Sequence, residues 1–194
     1  RIDANIQQMN LQIRQLADIK KAETNDTEII TEEIDLMDSI KYAFDDFSTD
    51  INNKKLNLII ANRYNIANTI TDKNLLTKAL HNLLSYIIAN TFNESSVEVV
   101  HHWSEGCWNI TYTYNGISTT EKELNIIFNR YKALENFENK LSDGKNDNVI
   151  SLTVCNDLLQ RINGHLKIEK ICETSTSCTL VIPKLKLTEK KKEE

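Results

Sequence analysis

The residue types most often used for catalysis or metal binding are scattered along this chain of 194 residues. Its cysteines share no Cys-x-x-Cys spacing and fall in segments that read as strand or helix: Cys107, Cys155, Cys172 and Cys178. We therefore expect buried, reduced thiols rather than disulfides or a zinc site. The histidines form no His-Glu-x-x-His motif or triad-like pattern, which predicts structural or surface roles: His81, His101, His102 and His165.

Phosphate-binding loops are also missing from the sequence. There are only four glycines, and none belongs to a Gly-x-Gly-x-x-Gly motif or a P-loop. The net charge of -5 argues against nucleic acid as a partner, because proteins that bind a phosphate backbone collect Lys and Arg on one face. The basic run of residues 190–192 is interleaved with glutamates and predicts a solvated tail or linker.

Aromatic side chains offer a different kind of site. Tyr112 and Tyr114 alternate with Trp108 and Ile110, so the four share one face of a predicted strand. That strand face needs no ligand to explain it. The alternative is that Tyr86, Tyr112 and Tyr114 line an aromatic cleft for a small molecule.

The elements that would position these side chains follow from apolar periodicity. Residues 34–47 predict a helix, and residues 56–60 predict a strand. Asp72 and Lys73 then open a helix that is apolar over residues 75–88, and its wide apolar surface indicates burial on most sides. We expect this to be the core helix.

The second half of the chain continues the alternation of sheet and helix. Residues 97–103 and 107–114 predict a β-hairpin. Next, the pattern predicts a helix over 121–134, a loop over 135–148 and a helix over 149–162. Asn163-Gly164 is expected to end the last helix. Residues 166–172 and 177–183 predict a final hairpin. This order predicts an α+β domain with helices layered on one face of a mixed sheet.

The first residues have a pattern of their own. Apolar side chains recur at alternating steps of four and three along one seam: Ile2, Ile6, Met9, Ile13 and Leu16. Such a seam favours pairing with a partner helix, although an amphipathic helix packed on its own domain is the alternative. We divide the chain into a helix over 1–24, a main domain over 25–185 and a charged tail over 186–194.

The order of pieces from Asp72 onward resembles the Bergerat-fold ATPase domain of histidine kinases, type II topoisomerases and heat-shock-ninety chaperones. Three stretches are similar to its Asn-rich helix, its Phe-containing box and its closing strand: residues 79–84, 127–131 and 180–183. Residues 1–24 resemble the second helix of the dimerisation and phosphoacceptor hairpin of sensor histidine kinases. The resemblance implies a two-layer α/β sandwich preceded by a dimerisation helix.

The resemblance also implies positions for ATP and Mg²⁺. In the family, two asparagines four residues apart lie on the Asn-rich helix, and the second binds Mg²⁺ beside the phosphates. Here the pair is Asn82 and Tyr86, and Asn90 belongs to the same site. A phenol is a poor Mg²⁺ ligand near neutral pH, and its ring fills the space that phosphate needs. Asn82 is then the single, weak candidate for metal binding.

Two further family motifs are altered. The Asp-x-Gly-x-Gly motif, whose carboxylate accepts the adenine amino proton, aligns with Tyr112 or with Tyr114 ahead of Gly116, and neither alignment yields a carboxylate. The glycine-rich end of the lid falls on residues that include no glycine: Asn148, Ser151 and Thr153. Each lost contact costs about 1–3 kcal/mol, so three together predict binding weaker by roughly 10²–10⁶-fold.

We therefore expect a degenerate sensor-kinase core that relays a signal by conformation or dimerisation, with ATP and Mg²⁺ bound weakly or not at all. One alternative is an active ATP-dependent histidine kinase of a phosphorelay, and another is a dimerisation module. The chain opens at Arg1 within a helical pattern, so we expect an excised cytoplasmic piece of a membrane-bound sensor. The acceptor histidine and any membrane anchor would then lie outside it. Expected partners are a second copy and a response-regulator receiver domain.

Overall fold

The computed structural model describes residues 28–61, 67–129 and 149–187. The chain alternates between strands and helices in this part. In order, the elements are β1 (Glu32–Asp35), α1 (Leu36–Asp46), α2 (Ser48–Lys54), β2 (Asn57–Ala61), β3 (Asn68–Thr71), α3 (Lys73–Asn90), β4 (Ser96–Ser104), β5 (Cys107–Asn115), α4 (Glu121–Ile127), α5 (Val149–Arg161), β6 (His165–Cys172) and β7 (Ser175–Pro183).

A five-stranded mixed sheet forms one layer of the domain. Its strand order is β2-β4-β5-β7-β6, in which β2 and β4 are parallel and the other pairs are antiparallel. A second sheet contains β1 and β3 as an antiparallel pair. The helices pack together as the other layer, with α3 against α5 and α1 and with α4 against α5. The α+β sandwich expected from the sequence is therefore confirmed.

The core lies between the large sheet and α3. Six apolar residues of α3 are fully buried: Leu76, Ala79, Leu80, Leu83, Leu84 and Ile87. They face a sheet surface on which buried and partly exposed residues alternate along β4 and β5, as expected for strands with one face covered. The burial on several sides of α3 confirms its prediction as the core helix.

Local capping chemistry sets several element ends. The Asp35 side chain accepts from Met37 N at 2.7 Å and begins α1, while the Asp72 side chain accepts from Leu75 N at 3.0 Å and begins α3. Beyond α5, Asn163 adopts a positive φ of 58°, and Gly164 N donates to Leu159 O at 2.8 Å. This left-handed ending confirms the stop predicted at Asn163-Gly164.

Several sequence expectations need correction. Residues 34–47 are not one helix, because Ile34 and Asp35 belong to β1 and the Asp35 cap delays the helix to Leu36. The short elements α2 and β3 were not predicted. The helix expected over 121–134 ends at Ile127 in the described residues. Cys155 and Cys178 are buried, but Cys107 is half-buried and Cys172 is exposed at the end of the edge strand β6, so the four free thiols are not all in the core.

Some predictions lie outside the described residues. These are the helix over 1–24 with its seam, the loop over 135–148 with Asn148, the last part of the helix predicted over 121–134, and all but the start of the charged tail. Among the described helices, none has the length and apolar character needed to cross a membrane.

Candidate functional site

The last turns of α3 carry the three helix residues singled out from the sequence. Asn82 is 7% exposed, and its Nδ2 donates to Lys78 O at 2.9 Å. Asn90 is half-buried, and its Nδ2 donates in the same way to Tyr86 O at 2.9 Å. Both amide nitrogens are therefore bonded to carbonyl groups one turn earlier in their own helix.

Tyr86 lies between these two asparagines and is 3% exposed. Its hydroxyl is hydrogen-bonded at 2.8 Å to Oγ1 of Thr119, which is also buried. Burial raises the pKa of Tyr86 to about 12, even though the hydrogen bond with Thr119 acts in the opposite direction. The phenol, already neutral near pH 7, therefore keeps its proton further into the alkaline range.

Tyr112 and Tyr114 extend from β5 into the core, where the Tyr112 ring lies 6.2 Å from that of Phe44 on α1 and Tyr114 lies near Tyr86 on α3. Both are essentially unexposed, so they are core side chains rather than the lining of an open cleft. Burial raises the pKa of each hydroxyl well above its usual value. The Tyr114 hydroxyl lies near those of Tyr86 and Thr176, and Thr176 is its cross-strand neighbour on β7. Within the described residues, neither Tyr114 nor Tyr112 makes a hydrogen bond of regular geometry through its hydroxyl.

The backbone at Gly116 lies so close to the backbone at the end of α3 that only glycine fits there. A Cβ atom at this position would lie 2.1 Å from Asn90 O, so any side chain would collide with the end of α3. Gly116 N donates to Thr174 O at 2.8 Å, and Ile117 N donates to Asn90 O at 3.0 Å. The glycine thus allows the end of β5 to contact both α3 and the turn between β6 and β7.

The beginning of α5 supplies the remaining predicted positions. Ser151 is 4% exposed and Thr153 is fully buried. Ile150, on the same turn, is also part of the apolar core. The described start of this helix is therefore packed inside the domain, while Asn148 lies outside the described residues.

Thr119, Thr120 and Thr176 were not singled out from the sequence. Thr120 and Glu123 form a capping box at the start of α4, because Thr120 N donates to Glu123 Oε2 at 2.7 Å and Glu123 N donates to Thr120 Oγ1 at 3.2 Å. The Thr-x-x-Glu spacing could have revealed this box. No sequence signal links Thr119 to Tyr86, because the two are 33 residues apart.

An open groove of about 1300 Å³ lies at the opposite end of α3. Its rim carries four exposed carboxylates, namely Glu28, Glu32, Glu33 and Asp38. None of the predicted nucleotide-binding residues lines this acidic groove. Across the described residues, no group of three or more His, Cys, Asp and Glu side chains is arranged to hold a metal ion.

A comparison with protein families identifies the class of the domain. The family model of "Histidine kinase-, DNA gyrase B-, and HSP90-like ATPase" matches residues 71–187. Because this match covers more than half of the chain, the chain belongs to that ATPase family. A comparison with curated proteins gave no match.

Solved structures of histidine kinases have the same fold. AdeS of Acinetobacter baumannii has a TM-score of 0.71 at 12% identity, covering 93% of this chain and 81% of its own. Full-length ShkA in complex with AMPPNP has a TM-score of 0.73 at 10% identity, covering 91% and 36%. ThkA in complex with the response regulator protein TrrA has a TM-score of 0.64 at 15% identity, covering 91% and 49%. The chain thus spans only part of ShkA and ThkA.

Proposed function

We propose that this chain is the ATPase-type domain of a two-component sensor histidine kinase whose nucleotide site is degenerate, so that it relays a signal as a pseudokinase. One observation carries the proposal. Tyr86 is buried and hydrogen-bonded to Thr119. The family resemblance assigns its position to the amide that binds Mg²⁺. A bound Mg²⁺ would require this ring to move and this bond to break.

The chemistry of the neighbouring groups supports the same conclusion. Mg²⁺ prefers carboxylate, carbonyl and phosphate oxygens in a strict octahedral arrangement. The Tyr86 phenol is a neutral hydroxyl near pH 7, and burial raises its pKa further, to about 12. Neither Tyr112 nor Tyr114 can replace the carboxylate that accepts the adenine amino proton, since each offers only a buried, neutral hydroxyl. The residues present therefore do not fit a magnesium nucleotide.

Isothermal titration of the chain with ATP or ADP and Mg²⁺ tests the proposal. We expect no binding heat at nucleotide concentrations up to about 1 mM, because three lost contacts of about 1–3 kcal/mol each turn micromolar affinity into millimolar or weaker. ShkA, which was solved in complex with AMPPNP, serves as the positive control in the same buffer. Micromolar binding by this chain would refute the proposal.

An active protein histidine kinase is the second candidate function. The helix-and-sheet scaffold of the described residues and the likeness to ShkA in complex with AMPPNP favour it. In that case, the γ-phosphoryl group of ATP would pass to a histidine upstream of Arg1 and then to an aspartate of a response regulator. Incubating this chain with a longer chain that carries the upstream helix, together with labelled ATP, tests this candidate. Phosphohistidine above background would favour the kinase over the pseudokinase.

The proposed partners are a second copy of the chain and a response-regulator receiver domain, in the cytoplasmic part of a membrane-bound sensor. The apolar seam of residues 1–24 supports the dimer, and the complex of ThkA with TrrA supports the response regulator. Sedimentation of the chain with and without residues 1–24 tests the first partner. We expect the whole chain to sediment as a dimer and the truncated chain as a monomer, and the same oligomeric state for both would remove this helix from the proposal.

A further inference from the structure

The segment between β5 and α4, residues 116–120, is held at several points, and we call it the β5–α4 loop. On one side, Ile117 N donates to Asn90 O at the end of α3. On the other side, Ser118 Oγ donates to Glu173 O in the turn between β6 and β7 at 2.7 Å. The bond from Ser118 is exposed to solvent, where water competes for the same groups.

The bond between Tyr86 and Thr119 differs from these anchors because it is buried at both ends. It connects two side chains, and its length is 2.8 Å. If it broke, the two hydroxyls would lose this partner inside the core, where water does not replace it. A buried pair of this kind therefore costs more to break than an exposed bond that exchanges freely with solvent.

The start of α4 directly follows the residue that bonds to Tyr86. Thr120, the next residue along the chain, forms the capping box with Glu123 that begins α4. Because α4 packs against α5, and α5 packs against α3, the segment that follows Thr119 is connected through packing to the end of α3.

We propose that the Tyr86–Thr119 hydrogen bond is a latch that locks the β5–α4 loop and the start of α4 onto α3 without any nucleotide. The latch rests on the proposed function in one respect. It assigns the closing contact to Tyr86, the side chain at the position where the family's metal-binding amide is substituted. The latch thus replaces a ligand-dependent contact with one that needs no ligand.

Hydrogen exchange of the backbone amides in residues 117–124, measured without nucleotide, tests the latch. Tyr86→Phe and Thr119→Val each remove one hydroxyl and keep the shape of the side chain. We expect each to speed exchange in this segment by about three- to tenfold. Thr119→Ser, which keeps the hydroxyl, should leave most of the protection in place. The amide of Leu76, at the far end of α3, should be unaffected.

Two comparisons make the result decisive. Tyr112→Phe is the matched control, because Tyr112 is equally buried but its hydroxyl has no regular hydrogen bond in the described residues. The double variant of Tyr86→Phe and Thr119→Val should exchange no faster than either single variant, since both break the same bond. Exchange that matches Tyr112→Phe in both single variants, or additive effects in the double variant, would overturn the latch.

The latch and the proposed function can fail separately. If the unaltered chain binds ATP tightly in the titration but shows latch-dependent protection without nucleotide, then the pseudokinase proposal fails and the latch stands. If the chain binds no nucleotide and the single variants leave exchange unchanged, then the latch fails and the pseudokinase proposal stands.

Discussion

The two ends of α3 differ in charge and in access to solvent. Around Tyr86 and Tyr114, near its last turns, the buried side chains are tyrosine and threonine, and the Lys54 ammonium donates to Ile88 O, Ala89 O and Thr91 O at the helix end. Around Asp72 and Lys73, at its first turn, an open groove of about 1300 Å³ is rimmed by exposed carboxylates. In the family resemblance, the closed end is the one that should receive nucleotide, while the open end has no assigned role.

This difference shows that, in the described residues, core side chains fill the end of α3 that the resemblance assigns to nucleotide. A pocket that binds charged phosphates needs polar groups facing an accessible space. At the closed end, hydroxyls of tyrosine and threonine meet inside the core instead, and the pKa of each tyrosine there is raised by burial. The buried tyrosines thus contribute to the stability of the domain. Substitutions of these residues should therefore lower the free energy of unfolding more than substitutions at the open groove.

The largest effect is expected from truncating a tyrosine at the closed end. Tyr112→Ala removes a fully buried ring and should lower the free energy of unfolding by about 3–5 kcal/mol, because it leaves a cavity as large as other aromatic-to-alanine changes do. Tyr42→Ala, at the acidic groove, is the matched control and should cost less than about 0.5 kcal/mol, since Tyr42 is 61% exposed. Urea unfolding followed by tryptophan fluorescence measures both. Equal losses would contradict the contrast between the two ends.

Alkaline pH should act mainly on the closed end. The pKa of Tyr86, Tyr112 and Tyr114 is raised in the folded state, so the unfolded chain releases their protons first. Their contribution to stability is complete below the unfolded value of about 10 and is lost as pH rises through the folded values, with about 1.4 kcal/mol lost per residue at pH 11. Cys155 and Cys178, whose pKa is also raised by burial, add to the same trend.

Urea unfolding at several pH values between 8 and 11 checks this expectation. Tyr112→Phe provides the control, because it removes one titrating group while keeping the ring. Its loss of stability between pH 9 and 11 should be smaller than that of the unaltered chain. A flat stability profile up to pH 11 would show that these hydroxyls are not protected from water.

Local signals made much of the fold predictable. Asp72 before an apolar run predicts a helix start, and Asn163-Gly164 predicts a helix end, because capping acts within a few residues along the chain. Both predictions are confirmed by the hydrogen bonds at those sites. The alternation of Trp108, Ile110, Tyr112 and Tyr114 likewise predicted one buried face of β5, since strand side chains alternate with a period of two.

Contacts between distant parts of the chain could not be predicted in this way. The strands β1 and β3 are only four residues each and become strands by pairing with one another across about 35 residues. The bond between Tyr86 and Thr119 likewise joins a helix to a loop that is remote in sequence. The residue types at the candidate site could therefore be identified from the sequence. The hydrogen bond that joins Tyr86 to Thr119 there could not be predicted from it.

A moderate effect is expected at the start of α3, where the carboxylate of Asp72 caps the helix at the edge of the groove. Asp72 accepts from Leu75 N through one oxygen and from Ile30 N through the other, both at 3.0 Å. Asp72→Ala should therefore cost about 1–2 kcal/mol of unfolding free energy, as expected for the loss of a helix cap. Asp72→Asn should recover much of this loss, because an asparagine oxygen can still cap. If both variants unfold like the unaltered chain, the cap contributes nothing to stability.

The smallest effect is expected from an exposed carboxylate on the groove rim. Glu32 lies on β1 near Glu28 and Glu33, and like charges close together repel one another. Glu32→Gln should therefore change the unfolding free energy by less than about 0.5 kcal/mol. The same change should reduce the stabilisation that added salt provides, because salt screens exposed repulsion. Urea unfolding in low and high salt measures both quantities. A loss of stability above about 1 kcal/mol is about twice the expected bound for a surface change. Such a loss would mean that Glu32 makes a stabilising contact at the groove.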